Sequence, residues 1–122
     1  MKLLLDTHVL LWALANDRRL TATQRAAIET GELYLSAASV WEIGIKRALG
    51  KLDVPASVIE TAVDAGCRSV PITWSHAAVA SDLPPHHMDP FDRMLIAQAG
   101  LEGMTLVSSD AKFADYDVEV IK

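Results

Sequence analysis

Hydrophobic positions follow two alternating rhythms along this chain. Leu3-Leu4-Leu5 is unbroken and ends on Asp6, and the same short apolar form returns at Leu33-Tyr34-Leu35-Ser36 and Met104-Thr105-Leu106-Val107. Such runs predict strands buried on both faces, as in a parallel sheet covered by helices. Between them, apolar residues open out to helical spacing. Val9 to Ala15 predicts a helix broken by the polar Asn16-Asp17-Arg18-Arg19, and Thr21 or Thr23 caps a second helix that Gly31 ends. Ala37 to Leu49 predicts a third, and Pro55 stands early in a fourth that runs to about Ala65. Arg68 to Ile72 predicts a further strand whose Pro71 suits an end or an edge. A helix from Thr73 to Ser81 follows, with His76 expected to pack or hydrogen-bond. Asp89-Pro90 is the order of N-cap and first helical residue, and it opens a helix reaching Leu101. A short helix to Ala114 and a strand from Val118 to Ile121 complete the alternation. The pattern predicts an α/β sandwich with a mostly parallel central sheet flanked by helices.

The third helix carries the most information. Val40, Trp41, Gly44, Ile45, Ala48 and Leu49 spread apolar surface over most of its circumference, so it is expected to be largely buried. Ser39, Glu42 and Lys46 share one narrow polar stripe. A carboxylate there must be paired, hydrated in a cleft or bound to a metal, because burying it alone is costly. The cleft is the expectation for Glu42, with a simple helix salt bridge to Lys46 as the plainer alternative. Gly44 costs about 1 kcal/mol relative to alanine in a helix and predicts a close packing contact. Trp12 and Leu14 are expected in the core.

Composition narrows the possibilities. At 122 residues, 51% of them hydrophobic, the chain is expected to form one domain spanning 1–122 with a single core. Its one cysteine, Cys67, cannot form an intramolecular disulfide and has no histidines spaced around it for zinc, so the cytoplasm is the expected compartment. Asp6 interrupts the apolar start, which speaks against a signal peptide, and no apolar run approaches membrane length. A formal charge of -5 argues against holding nucleic acid by bulk electrostatics, so any such contact must be local.

The acids then draw together. Asp6 and Asp110 end predicted buried strands and should emerge at one edge of a parallel sheet, where ligands bind in such folds. Glu42 and Asp92 lie on helices that follow segments opening on that edge. Helix capping explains Asp6 equally well, and Asp89 as cap and Asp92 near the positive dipole end also have structural explanations. Four carboxylates facing one cleft would repel, which raises their pKa values unless a cation sits between them. Oxygen ligation suits Mg²⁺ or Mn²⁺, and such a site can activate water against a phosphate. His86 and His87 could decorate the loop, contact a ligand phosphate or partner an acid, and are not expected to be metal ligands.

Four ordered motifs carry a resemblance. Leu-Leu-Asp6-Thr7-His8, Ser-Ala-Ala-Ser39-Val-Trp-Glu42-Ile, His87-Met-Asp89-Pro-Phe-Asp92-Arg93 and Leu-Val-Ser-Ser-Asp110-Ala-Lys-Phe113 resemble the PIN-domain family, of the VapC type found in bacterial toxin–antitoxin modules. The resemblance covers essentially the whole chain. It implies a PIN-like three-layer sandwich and a Mg²⁺-dependent ribonuclease toxin, with RNA as substrate, a cognate antitoxin as partner, a homodimeric assembly and no membrane association. By position, Asp6, Glu42, Asp92 and Asp110 match the family's acidic residues, and Ser108 keeps the hydroxyl of the threonine that many members carry. Asp6, Asp92 and Asp110 are expected to hold one metal, and Glu42 to hold or orient a second metal or the attacking water. Thr7, Ser39, Asp89, Ser108, Arg93, His87 and Lys46 are expected around these acids or against substrate, with His86, Arg47 and Lys51 as further positive groups for the RNA backbone. Two other classes compete. A phosphorelay receiver fails on residues, because Asp6 stands alone and the strand near Ile72 ends in Thr73 and Trp74. A non-catalytic domain that holds a basic partner in the acidic cleft is the alternative, and metal-dependent RNA cleavage discriminates the two.

Overall fold

The computed structural model describes residues Met1–Lys122. Five strands, β1 (Lys2–Leu5), β2 (Glu32–Ser36), β3 (Arg68–Val70), β4 (Thr105–Val107) and β5 (Val120–Ile121), form one sheet in the order β3-β2-β1-β4-β5. Every pairing is parallel. Six helices connect them: α1 (Thr7–Leu14), α2 (Ala22–Thr30), α3 (Ala37–Ala48), α4 (Val58–Asp64), α5 (Trp74–Asp82) and α6 (Pro90–Glu102), with a 3₁₀ turn at Ala111–Asp115. From β1 the chain first winds outward through β2 to β3, then returns to the other side of β1 for β4 and β5. The carboxyl ends of β1 and β4 therefore flank a topological switch point, where an open α/β sheet leaves a crevice.

Side chains alternate across the central strand. Leu3 and Leu5 face one core with Val9, Leu10, Leu35, Ile43, Val58 and Val107, while Leu4 faces another with Val70, Leu95, Ile96, Leu106 and Phe113. The sheet is thus sandwiched between two helical layers. Each of the three leucines is almost fully buried, and each contributes about 2 kcal/mol of transfer free energy. The β1 pattern is an uninterrupted apolar run for this reason: neither face meets water.

Local chemistry sets the helix ends. Thr21, not Thr23, caps α2 in a box with Gln24, and Thr73 caps α5 in the same way with His76. Asp89 caps α6 with Pro90 at its start, and Gly103 closes that helix in the left-handed conformation. No helix is long and apolar enough to cross a membrane.

Two expectations about packing are corrected. Helix α3 is amphipathic rather than buried all round: Trp41 is 65% exposed, and Val40 and Leu49 are exposed too. Its Gly44 has nothing within 4 Å of where a Cβ would stand, so no close contact explains that glycine. The tight approach is at Gly31, where a Cβ would meet Leu3 Cδ1 at 2.6 Å. Trp12 and Leu14 pack half-buried against the core of Leu3 and Leu5, as expected.

Candidate active site

At the switch point a cavity of about 290 Å³ opens beyond the ends of β1 and β4. Five carboxylates line it, from Asp6, Glu42, Asp89, Asp92 and Asp110, together with Thr7, His8, Val9, Trp12, Lys46 and Ser109. One ammonium, that of Lys46, stands against the five acids.

Three of the acids do two things at once. Asp6 follows β1 directly; its Oδ1 accepts from His8 and Val9 N–H at 2.7 and 3.3 Å, capping α1, while Oδ2 accepts from Ser108 Oγ at 2.5 Å. Capping and cleft lining are not alternatives for this residue. Asp89 Oδ1 accepts from Phe91 and Asp92 N–H at 2.8 and 3.1 Å. Asp110 Oδ1 accepts from Lys112 N–H at 2.9 Å and caps the 3₁₀ turn. Helix starts thus bring backbone N–H groups to the cleft, and these partly offset its negative charge.

Glu42 is buried and held on both oxygens. Thr7 Oγ1 donates to Oε1 at 2.6 Å, and Lys46 Nζ donates to Oε2 at 2.7 Å. The helix salt bridge and the cleft position both hold. The hydrogen bond to Glu42, against a smaller desolvation cost, raises the Lys46 pKa and keeps it charged. Ser108, fully buried, donates to Asp6 and accepts from Asp110 N–H at 3.1 Å, so one hydroxyl links the ends of β1 and β4.

Asp92 stands apart, because it accepts no hydrogen bond from the protein. Burial first, then the charge of Asp89, pushes its pKa up to about 7; His87 opposes this, while Asp6 and Glu42 add to it. His87 Nε2 lies 2.7 Å from Asp92 Oδ2 and 3.6 Å from Asp110 Oδ2.

The donor set fits a divalent cation. It is rich in carboxylate oxygen, the Asp92 carboxylate accepts no hydrogen bond, and burial, with the charge of Asp89 beside it, disfavours its ionised form until a cation is present. The closest grouping, His87 Nε2 with oxygens of Asp92 and Asp110, lies within 4.8 Å.

The cleft thus brings Asp6, Glu42, Asp92 and Asp110 together with Asp89, Thr7 and Lys46. Other expected residues lie elsewhere. Arg93 is not available to an RNA backbone: its guanidinium donates to the carbonyls of Ala80, Ser81, Leu83, Pro84 and His87, at 2.8 to 3.3 Å. It ties the end of α5 to the loop before α6. Ser39 is buried with an unpartnered hydroxyl and does not line the cavity. Arg47 and Lys51 are exposed and also off the lining. His86 packs its ring edge-on against Tyr116. Sequence reasoning missed His8 and Trp12, whose rings stack at 6.2 Å along one cleft wall, with Arg19 over Trp12 at 5.1 Å. The signal was their i, i+4 spacing directly after Asp6. It also missed Gln24, which donates to Ser109 Oγ at 2.9 Å and so tethers the strand-end loop to α2.

Fold and cleft together define an α/β domain with an acid-lined crevice at the switch point of a parallel sheet. Residues 3–119 match the PIN domain, and the chain belongs to that family. It is 32% identical over 117 residues to ribonuclease VapC22 of Mycobacterium tuberculosis, an alignment covering 93% of this chain and 90% of that protein. Among solved structures, the fold is similar to DNA-bound VapBC of Salmonella typhimurium, with a TM-score of 0.75 at 16% identity over 99% of this chain and 97% of that one. It is also similar to a toxin–antitoxin complex from Klebsiella pneumoniae, with a TM-score of 0.70 at 18% identity over 98% and 95%.

Proposed function

We propose that the chain is a Mg²⁺- or Mn²⁺-dependent endoribonuclease, the toxin of a type II toxin–antitoxin pair, acting at the site of Asp6, Glu42, Asp92 and Asp110. The observation that carries this reading is the convergence of five carboxylates on one crevice, where Asp92 alone accepts no hydrogen bond. The relative named as a ribonuclease and the toxin–antitoxin complexes of the same fold support it.

Asp6, Asp92 and Asp110 would hold the cation, which when bound supplies charge for a phosphate oxygen and lowers the pKa of water. The chain's own groups do the rest. Ser108 and the α1 N–H groups fix the Asp6 carboxylate, so its free edge meets the crevice in one orientation. Glu42, gripped by Thr7 and Lys46, would hold or orient a second metal or the attacking water. The Lys46 ammonium faces the same cavity and can meet a phosphate oxygen. In-line displacement of the 3′ oxygen by that water would leave a 5′-phosphate and a 3′-hydroxyl, the water giving up a proton to solvent and the departing oxygen taking one from it.

An antitoxin would silence the site by placing arginine or amide side chains among the carboxylates, and the toxin is expected to act as a homodimer. Digestion of total RNA by the purified chain, with end mapping, tests the enzyme reading. Cleavage with Mg²⁺ or Mn²⁺ that disappears in EDTA is expected. RNA left intact under every cation would instead favour a cleft that only holds a basic partner.

A further inference from the structure

One buried side chain behind the cleft has no part in the mechanism above. His87 is 7% exposed, and its Nε2 has no hydrogen-bond partner although it faces Asp92 at 2.7 Å and Asp110 at 3.6 Å. Those two carboxylates arrive from different elements, one from α6 and one from the loop after β4. The other ring nitrogen, Nδ1, accepts from Asp89 N–H at 3.4 Å. A nitrogen that accepts has no proton, so the neutral imidazole carries its hydrogen on Nε2, the ring nitrogen nearer the two acids. Ligation of a cation through Nε2 would require the proton to move to Nδ1, where Asp89 N–H already points. Two donors would then face one another.

The ring has little freedom. His87 N–H donates to Tyr116 Oη at 2.8 Å, and Tyr116 Oη in turn donates to Pro84 O at 2.7 Å. Arg93 Nη1 donates to His87 O at 3.2 Å, and the ring packs edge-on against Phe113. The loop is thus clamped from two elements, and the imidazole is delivered to the gap between Asp92 and Asp110.

We propose that His87 is a positioning residue of the cation site: the partial positive charge of its Nε2–H, close to both acids and hydrogen-bonded to neither, keeps the Asp92 and Asp110 carboxylates facing the gap before a cation arrives, and His87 is not itself a ligand. This inference rests on the divalent-cation reading above. Asp110 is the more exposed of the two, with 38% of its side chain accessible against 22% for Asp92. Without that partial positive charge between them, mutual repulsion would turn Asp110 toward solvent, and cation binding would have to bring it back. Groups that orient ligands in this way typically govern affinity by ten- to a hundred-fold.

The test uses the full chain as wild type, His87→Phe and His87→Gln. Mn²⁺ affinity is measured by calorimetry, and the imidazole tautomer by long-range ¹H–¹⁵N spectra with and without Mg²⁺. The wild-type ring should show the Nε2–H tautomer in both states. His87→Phe should bind Mn²⁺ about ten- to a hundred-fold more weakly with its circular dichroism unchanged, and His87→Gln, whose amide can donate, should recover most of that loss. A Phe variant that binds Mn²⁺ like wild type, or a Gln variant as weak as Phe, overturns the proposal while leaving the proposed function in place. So does an Nδ1–H tautomer in the Mg²⁺-loaded wild type, a result that stands even if the Phe variant does not fold. Wild type that binds neither cation overturns the proposed function and this inference together.

Discussion

Asp92 is the acid of the cleft with no donor of its own, and this gives it a pH signature. Its pKa is raised in the folded state from an ordinary 3.8 to about 7, so the folded chain favours its neutral form more than the unfolded chain does. The stability this contributes is complete below about pH 4 and is lost as pH rises through 7. Discounted for its exposed edge, the effect is on the order of 1–2 kcal/mol. In EDTA, the wild-type melting temperature should fall between pH 5 and pH 8 more steeply than that of Asp92→Asn, which cannot ionise there. Parallel curves for the two proteins would place the charge strain on another residue. A cation requires the ionised carboxylate, so Mn²⁺ affinity should climb over the same interval and binding near pH 6.5 should release a proton. Calorimetry in two buffers of different ionisation enthalpy measures that proton. For Glu42 the expected loss is of another kind: Thr7→Val removes the 2.6 Å donor to Oε1, and kcat should fall while substrate KM changes little.

At the scale of elements, two glycines act in opposite directions. Gly31 ends α2 against β1, where a Cβ would lie 2.6 Å from Leu3 Cδ1 and 3.0 Å from the Ala27 carbonyl. Gly31→Ala should therefore destabilise by about 1–3 kcal/mol, since the central strand cannot move aside without disturbing two cores. Gly44 lies in α3 with open space around it, so Gly44→Ala should stabilise by about 1 kcal/mol through helix propensity alone. Urea titrations of the two variants separate these signs. The pair also shows what the sequence carries and what it hides. Strand and helix identities were legible because period and caps are local, and Asp6 and Asp110 could be placed on one edge because both close apolar runs. Which glycine is crowded was not legible, because that depends on which element crosses it. The same holds for Trp12, which packs against the core as expected yet also lines the cleft, and for Arg93, whose charge predicts solvent while five carbonyls of the α5 end and the following loop enclose it. The burial of His87 depends on Tyr116, 29 residues further along the chain. The sequence favours Asp92 over Asp89 for the site, with Asp89 as the cap; in the structure Asp89 does cap the helix, and Asp92 accepts no hydrogen bond.

For the whole molecule, the cleft sets folding against cation binding. Carboxylates of Asp92 and Asp110 that share a space 4.8 Å across repel by about 3 kcal/mol at an effective dielectric near 20, and hydration of the open crevice reduces this to about 1. Asp92→Asn removes one charge and leaves the Asp89 cap intact. Its melting temperature in EDTA at pH 8 should therefore exceed that of wild type. A cation that binds only the folded state stabilises by about 2.7 kcal/mol at a hundred times its dissociation constant, so Mg²⁺ should raise the wild-type melt by several degrees. The Asn variant should show little of that gain, because the carboxylate that couples the cation to folding is missing. The two shifts have opposite signs, which no general loss of stability can reproduce. Melts of both proteins with EDTA and with excess Mg²⁺ check the pair, and an Asn variant that melts lower in EDTA yet gains as much from Mg²⁺ would make Asp92 a structural residue of the α6 start.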